Sequence, residues 1–142
     1  MSPESIATAL TGVLLLHAAT DAILGCLLLW SPHLLLVPSS DRPTRGERLH
    51  WADAVSQARG LGLIRLASAG QAFIVLVIAL RDLSGWHAPA AVALLLALYN
   101  GGEALRTLRH PPRLAHPMVG PVFRGLMAAL LACAGAVAGA QL

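Results

Sequence analysis

The chain of 142 residues has room for one domain, and 56% of it is hydrophobic against 12% charged, about half the charged share of a soluble domain. That balance, with a mean hydropathy of +0.69, excludes a disordered chain, and two cysteines exclude a disulfide-built scaffold. The formal charge of +3 fits a nucleic-acid partner in principle, but the arginines cluster where membrane topology puts them, so no nucleic acid is expected.

The chain therefore reads as an all-α, integral membrane four-helix bundle, one membrane domain over residues 1–142. A spanning helix needs about 20 mostly apolar residues. Residues 6–30 supply the first, with Asp21 its only formal charge. This stretch lacks a basic leader and is too long for a signal-peptide core, so a retained span is expected. Pro32 and Pro38 follow its exit, within a loop over 31–59. Inside that loop, Thr44-x-x-Glu47 has the form of a capping box. It opens an expected amphipathic lead-in helix with Leu49, Ala52 and Val55 on one side, up to a bend at Gly60 and Gly62.

Residues 60–80 form the second expected span, with Arg65 its only charge, and 81–87 a polar turn. Residues 88–105 form the third, with Glu103 near its end. Pro111 and Pro112 close it, and Pro117 and Pro121 belong at the start of the fourth span, 118–142, which carries Arg124. Orientation follows from arginine. Arg42, Arg45, Arg48, Arg59, Arg106, Arg109 and Arg113 lie on one side and Arg81 alone on the other, so both termini should face away from the cytoplasm. Trp30 and Trp86 then mark opposite interfaces. All of the Lys+Arg count of 10 is arginine, which with abundant Ala, Leu and Gly reads as GC-rich coding, hence a bacterial inner membrane. Cys26 and Cys133 fall near opposite faces of the bilayer and are expected to stay unbonded.

Charged residues inside spans are expensive and mark functional candidates. Counting from the cytoplasmic helix ends, Asp21 and Arg65 lie roughly 12–13 Å deep, Asn100 and Arg124 roughly 9 Å and Glu103 roughly 4 Å. Each span contributes at least one member, so the group is expected to converge. His17 and Asp21 are neighbours one turn apart; Arg65 shares a stripe with Ser68 and Ala72; Tyr99, Asn100, Glu103 and Arg106 occupy one side of their helix. On the fourth helix Ala128, Ala132, Ala136 and Ala140 repeat at spacing four beside Gly135-x-x-x-Gly139, a packing pattern.

Two roles remain open for these residues. As structure, Asp21 and Arg65 neutralise each other and fix helix register. Glu103 and Arg124 then snorkel toward water, and His17 is a hydrogen-bonding group between helices. As chemistry, Asp21 or Glu103 gives or takes a proton and His17 assists, while Arg65, Asn100, Arg124 and Tyr99 bind. No cofactor fingerprint occurs, and His110 and His116 lack metal-ligand spacing.

Two stretches resemble known families. Gln57-Ala58-Arg59-Gly60-Leu61-Gly62, with Leu95-Leu96-Ala97-Leu98 leading to Glu103, resembles the small four-helix scaffold family of the sterol C4-demethylation complex. Tyr99 stands where that family has histidine. The resemblance implies a non-catalytic tether for lipid-modifying enzymes. Arg59 opening a Gly-containing second helix, with Pro32 after the first, is also similar to DoxX-like bacterial families of unknown function. Both imply the same architecture.

The leading expectation is a scaffold or a lipid- or partner-binding module, whose partners are membrane lipid, other membrane proteins or a second copy of itself. The alternative is a small membrane enzyme performing acid–base isomerisation or cyclisation on a lipid or terpenoid. A transporter would call for an internal repeat, which the sequence lacks.

Overall fold

A computed structural model describes residues 2–36, 44–81, 85–109 and 119–141. The expectations for Pro38, Arg42, His110, Pro111, Pro112, Arg113, His116 and Pro117 lie outside these residues. Four α-helices make up the described chain: α1 (Pro3–Trp30), α2 (Arg45–Leu80), α3 (His87–Arg109) and α4 (Val119–Gln141). All four are long and apolar enough to cross a membrane.

Local chemistry sets the ends. Ser2 caps α1, its side chain accepting from the Ser5 amide at 3.3 Å, and Pro3 occupies the first turn, where no amide is needed. Pro32 disfavours helical backbone at Ser31, so α1 stops at Trp30 and a 3-10 turn, Pro32–Leu34, follows. The capping box at α2 forms: Thr44 Oγ1 accepts from the Glu47 amide at 3.3 Å, and the Glu47 carboxylate accepts from the Thr44 amide at 2.6 Å.

From there α2 departs from expectation. The expected lead-in helix is present, but it runs on without interruption through Gly60 and Gly62, so α2 is one helix of 36 residues from Arg45 to Leu80. The face expected to be covered is also displaced. Leu49 and Ala52 are exposed, while Trp51, Ala54 and Val55 are half-buried and Ala58 is buried. The covered positions extend the inward stripe of the lower helix (Gly62, Arg65, Ala69, Ala72, Leu76, Ala79) backward at spacings of three and four. A lead-in helix continuous with its span inherits the span's register, which overrides a locally apolar face.

The bundle is an antiparallel ring. α1 packs chiefly on α2 and α3 on α4, and the two hairpins join through α1 with α4 and α2 with α3. Each helix turns a stripe inward at coiled-coil spacing, as in Ile6, Leu10, Leu14, His17, Asp21, Gly25 and Leu28 of α1. On α4 the buried positions are Pro121, Arg124, Met127, Leu131, Gly135 and Ala138. The expected packing row therefore holds only partly: Ala128 and Ala132 are half-buried, and Ala136 and Ala140 are exposed. A spacing of four drifts off an inward face that repeats every 3.5 residues.

Along the bundle axis the interior is layered. Toward the start of α1, Ile6, Leu10 and Leu14 meet Leu76, Ala93 and Leu131 in an apolar core. Trp86, half-buried, packs against it, whereas Trp30 at the other end of the bundle is 69% exposed. Beyond the apolar core comes a layer of buried polar side chains, and past that α1 and α2 cross at Gly25 and Gly62. A Cβ placed on Gly62 would lie 2.8 Å from the Gly25 carbonyl oxygen and 3.0 Å from the Leu29 amide. Only glycine permits that approach. The same holds for α3 against α4, where a Cβ on Gly135 would lie 2.9 Å from the Ala90 carbonyl oxygen.

Candidate functional site

The polar layer consists of His17, Asp21, Arg65, Ser68, Asn100 and Arg124, all buried. It is built by the inward stripes of all four helices reaching one level. His17 and Asp21 lie one turn apart on α1; Arg65 and Ser68 lie three residues apart on α2; Asn100 comes from α3 and Arg124 from α4.

Asp21 is the hub. Its Oδ1 accepts from Arg65 Nη1 at 3.0 Å, and Arg124 Nη2 stands 3.8 Å from the same oxygen. The pairing with Arg65 is single-pronged rather than bidentate, and Arg65 Nε has no hydrogen-bond partner. The second carboxylate oxygen, Oδ2, also lacks a hydrogen-bond partner; His17 Nε2 lies 3.8 Å from it, at ion-pair but not hydrogen-bond distance. His17 instead shares a 2.9 Å hydrogen bond with Ser68 Oγ, whose direction depends on the imidazole tautomer.

The α3–α4 side completes the set. Asn100 donates from Nδ2 to the Leu96 carbonyl at 2.8 Å, one turn back along its own helix. That bond leaves the amide oxygen free for α4, where it accepts from Arg124 Nη1 at 3.5 Å. The Arg124 guanidinium also lies 6.0 Å from the centre of the Tyr99 ring, at the outer reach of a cation–π contact. Tyr99 Oη is buried with no hydrogen-bond partner.

One carboxylate thus faces two guanidinium groups, leaving a formal excess of one positive charge in the bundle interior. Glu103 does not offset it. Its carboxylate is engaged by Arg106 of the same helix, Nε to Oε1 at 2.9 Å and Nη2 to Oε2 at 3.0 Å. The Arg106 side chain is 62% exposed and that of Glu103 16%, so the pair runs from a half-buried carboxylate out to the helix surface, apart from the buried layer. The expected convergence therefore holds for His17, Asp21, Arg65, Asn100 and Arg124, with Tyr99 at the edge, and fails for Glu103. An arginine three residues on satisfies Glu103 without leaving the helix surface. Ser68 is the member that sequence reasoning did not single out. Its signal was its place on the Arg65 stripe, which carries a hydroxyl inward at the level of His17.

Among the described residues no group of His, Cys, Asp and Glu could hold a metal ion. Cys26 is half-buried, Cys133 is exposed, and both are free. Comparison with known protein families, curated proteins and solved structures found no match. Function is accordingly argued from the chemistry of this layer.

Proposed function

We propose that this chain is an integral membrane protein, with both termini away from the cytoplasm, that works as a scaffold or a lipid- or partner-binding module. One observation carries this reading. The buried polar groups engage one another across four helices, while the expected proton carrier Glu103 is tied to Arg106 apart from them. A carboxylate flanked by two guanidinium groups is a counter-ion first, holding helices in register. The excess positive charge then supplies recognition. The likeness of the Gln57–Gly62 and Leu95–Glu103 stretches to a four-helix scaffold family is the ground for placing its partners among lipid-modifying enzymes, and the arginine-only basic set is the ground for a bacterial inner membrane.

A second reading, acid–base chemistry on a lipid or terpenoid, is favoured by His17 Nε2 lying between Ser68 Oγ at 2.9 Å and Asp21 Oδ2 at 3.8 Å. Complementation of a deletion strain, with membrane levels followed in parallel, separates the two. Under the scaffold reading Glu103→Gln complements fully, because Glu103 stands apart from the buried layer and Gln keeps its shape and much of its hydrogen bonding to Arg106. Gly135→Leu fails, because it forces α3 and α4 apart at a contact that has no room for a Cβ. Loss of function in Glu103→Gln at normal protein level would sink the scaffold reading and leave a titrating carboxyl in its place.

A further inference from the structure

The inward side of α2 delivers Arg65 and Ser68 to the polar layer; its outward side carries a polar group that meets nothing. Gln71 is exposed and hydrogen-bonds to none of the described residues. It stands near the middle of the apolar run 60–80, roughly 15 Å along the helix from either end. On the membrane reading that level is the centre of the hydrocarbon, out of reach of water and of every lipid head group. Acyl chains offer neither a donor nor an acceptor, so an amide held there is costly until a protein group meets it.

The surface around Gln71 suits a second helix. Ile64, Ala67, Gln71 and Ile74 follow one another at spacings of three and four, the repeat of a helix-to-helix seam, and all four are exposed. Ala67 lies one turn from Gln71, and a Cβ on the adjacent Gly70 would meet nothing within 4 Å. The backbone of α2 can therefore be approached closely at the level of the amide.

The amide also specifies the occupant. A carboxamide pairs an acceptor oxygen with a two-donor nitrogen, so its partial charges complement those of an identical group turned by a two-fold axis. Two such groups exchange two N–H···O bonds. Copies of one chain inserted with one orientation are related by an axis along the membrane normal, which sets their α2 helices parallel and Gln71 against Gln71 at a single depth. A different protein would need a polar group brought to that depth by its own sequence, whereas a second copy has it by construction.

We propose that the outward face of α2 is the interface of a homodimer, formed along Ile64, Ala67, Gln71 and Ile74 with reciprocal hydrogen bonds between the two Gln71 amides at its centre. The proposal rests on the membrane reading above and names a second copy as the partner of that binding module.

The test uses the full chain in phosphatidylcholine vesicles, in a background lacking Cys26 and Cys133. Energy transfer between copies labelled at Ser2→Cys is followed as the protein-to-lipid ratio falls. Transfer should disappear in one monomer–dimer transition, and Gln71→Leu should move that transition to about a ten-fold higher ratio, the size expected of side-chain hydrogen bonds between helices in a bilayer. Leucine suits a lipid-facing position, so this variant changes association without threatening the fold. Gln71→Asn keeps the amide and should stay closer to the parent than Gln71→Leu does. In a second measurement, oxidation should crosslink Ala67→Cys into dimers but not Leu98→Cys, which is exposed at similar depth on α3. A chain monomeric at every ratio, an unchanged transition in Gln71→Leu, or crosslinking of Leu98→Cys as readily as Ala67→Cys would each overturn the proposal. A monomer recovered in the vesicles leaves the membrane reading and the complementation pattern standing, whereas a chain that does not enter them takes both readings down.

Discussion

Asp21 touches more of the polar layer than any other side chain, and its loss is the most informative single change. With the carboxylate gone, Arg65 and Arg124 remain as two buried cations with one neutral amide, Asn100, between α3 and α4 to receive them. Asp21→Ala should therefore destabilise the protein by about 3–5 kcal/mol, as breaking a buried pair does elsewhere. Removing Arg65 as well relieves part of that penalty, so the double variant Asp21→Ala/Arg65→Ala should cost less than the sum of the single changes. Denaturant titration in detergent measures both; additive costs would mean that the 3.0 Å contact carries no coupling. The pairing is legible in the sequence, because two lone charges at similar depth on consecutive helices have few other partners. The exclusion of Glu103 is not. Position on a helix gives depth and face, but not whether a flexible arginine one turn away will take the carboxylate first.

At the scale of the element, the α1–α2 crossing separates two glycines that look alike in sequence. Gly60 and Gly62 both stand early in the apolar part of α2. A Cβ on Gly60 meets nothing within 4 Å, whereas one on Gly62 runs into the backbone of Gly25 and Leu29. Gly60→Ala should raise stability by about 0.5–1 kcal/mol, because alanine costs less backbone entropy in a helix and nothing obstructs it. Gly62→Ala should lower it by about 1–3 kcal/mol through overpacking. The two variants compared by thermal unfolding in the same detergent give opposite signs; matching signs would mean the crossing is looser than these distances imply. The sequence announces helices here through hydrophobic runs and spacing, and the helix ends through Thr44, Glu47 and Pro32. It does not announce which glycine is a contact and which an ordinary helix position. That depends on the partner face of α1, where Gly25 is the matching gap.

For the whole molecule, the proposed orientation rests on the arginine distribution, because the packing alone leaves it free. In a chain lacking Cys26 and Cys133, a cysteine at Ser2 should react with an impermeant thiol reagent applied to intact cells, and one at Ala52 should react only after the cells are opened. Both positions are exposed, so access and not burial decides the outcome. Labelling at Ala52 in intact cells would reverse the orientation. The same experiment tests whether the early part of α2, which is helical from Arg45, stands clear of the hydrocarbon. At 1.5 Å per residue a helix of 36 residues spans about 54 Å, well beyond a core of about 30 Å.

The packing of the ring, tight within α1–α2 and within α3–α4 and sparser between them, bears on how the protein is made. A chain leaves the ribosome from its N-terminus, so under the proposed membrane reading the first hairpin would enter the bilayer before the second exists. That hairpin arrives already self-neutralised, Asp21 against Arg65, and closed at Gly25 and Gly62. The second hairpin brings Arg124 with a neutral amide beside it and no acid within the layer. In the folded bundle the carboxylate nearest that cation belongs to Asp21 of the first hairpin, 3.8 Å away. On that reading the two hairpins differ in kind: an early unit whose buried charges pair within it, and a late unit whose cation would meet its carboxylate on docking.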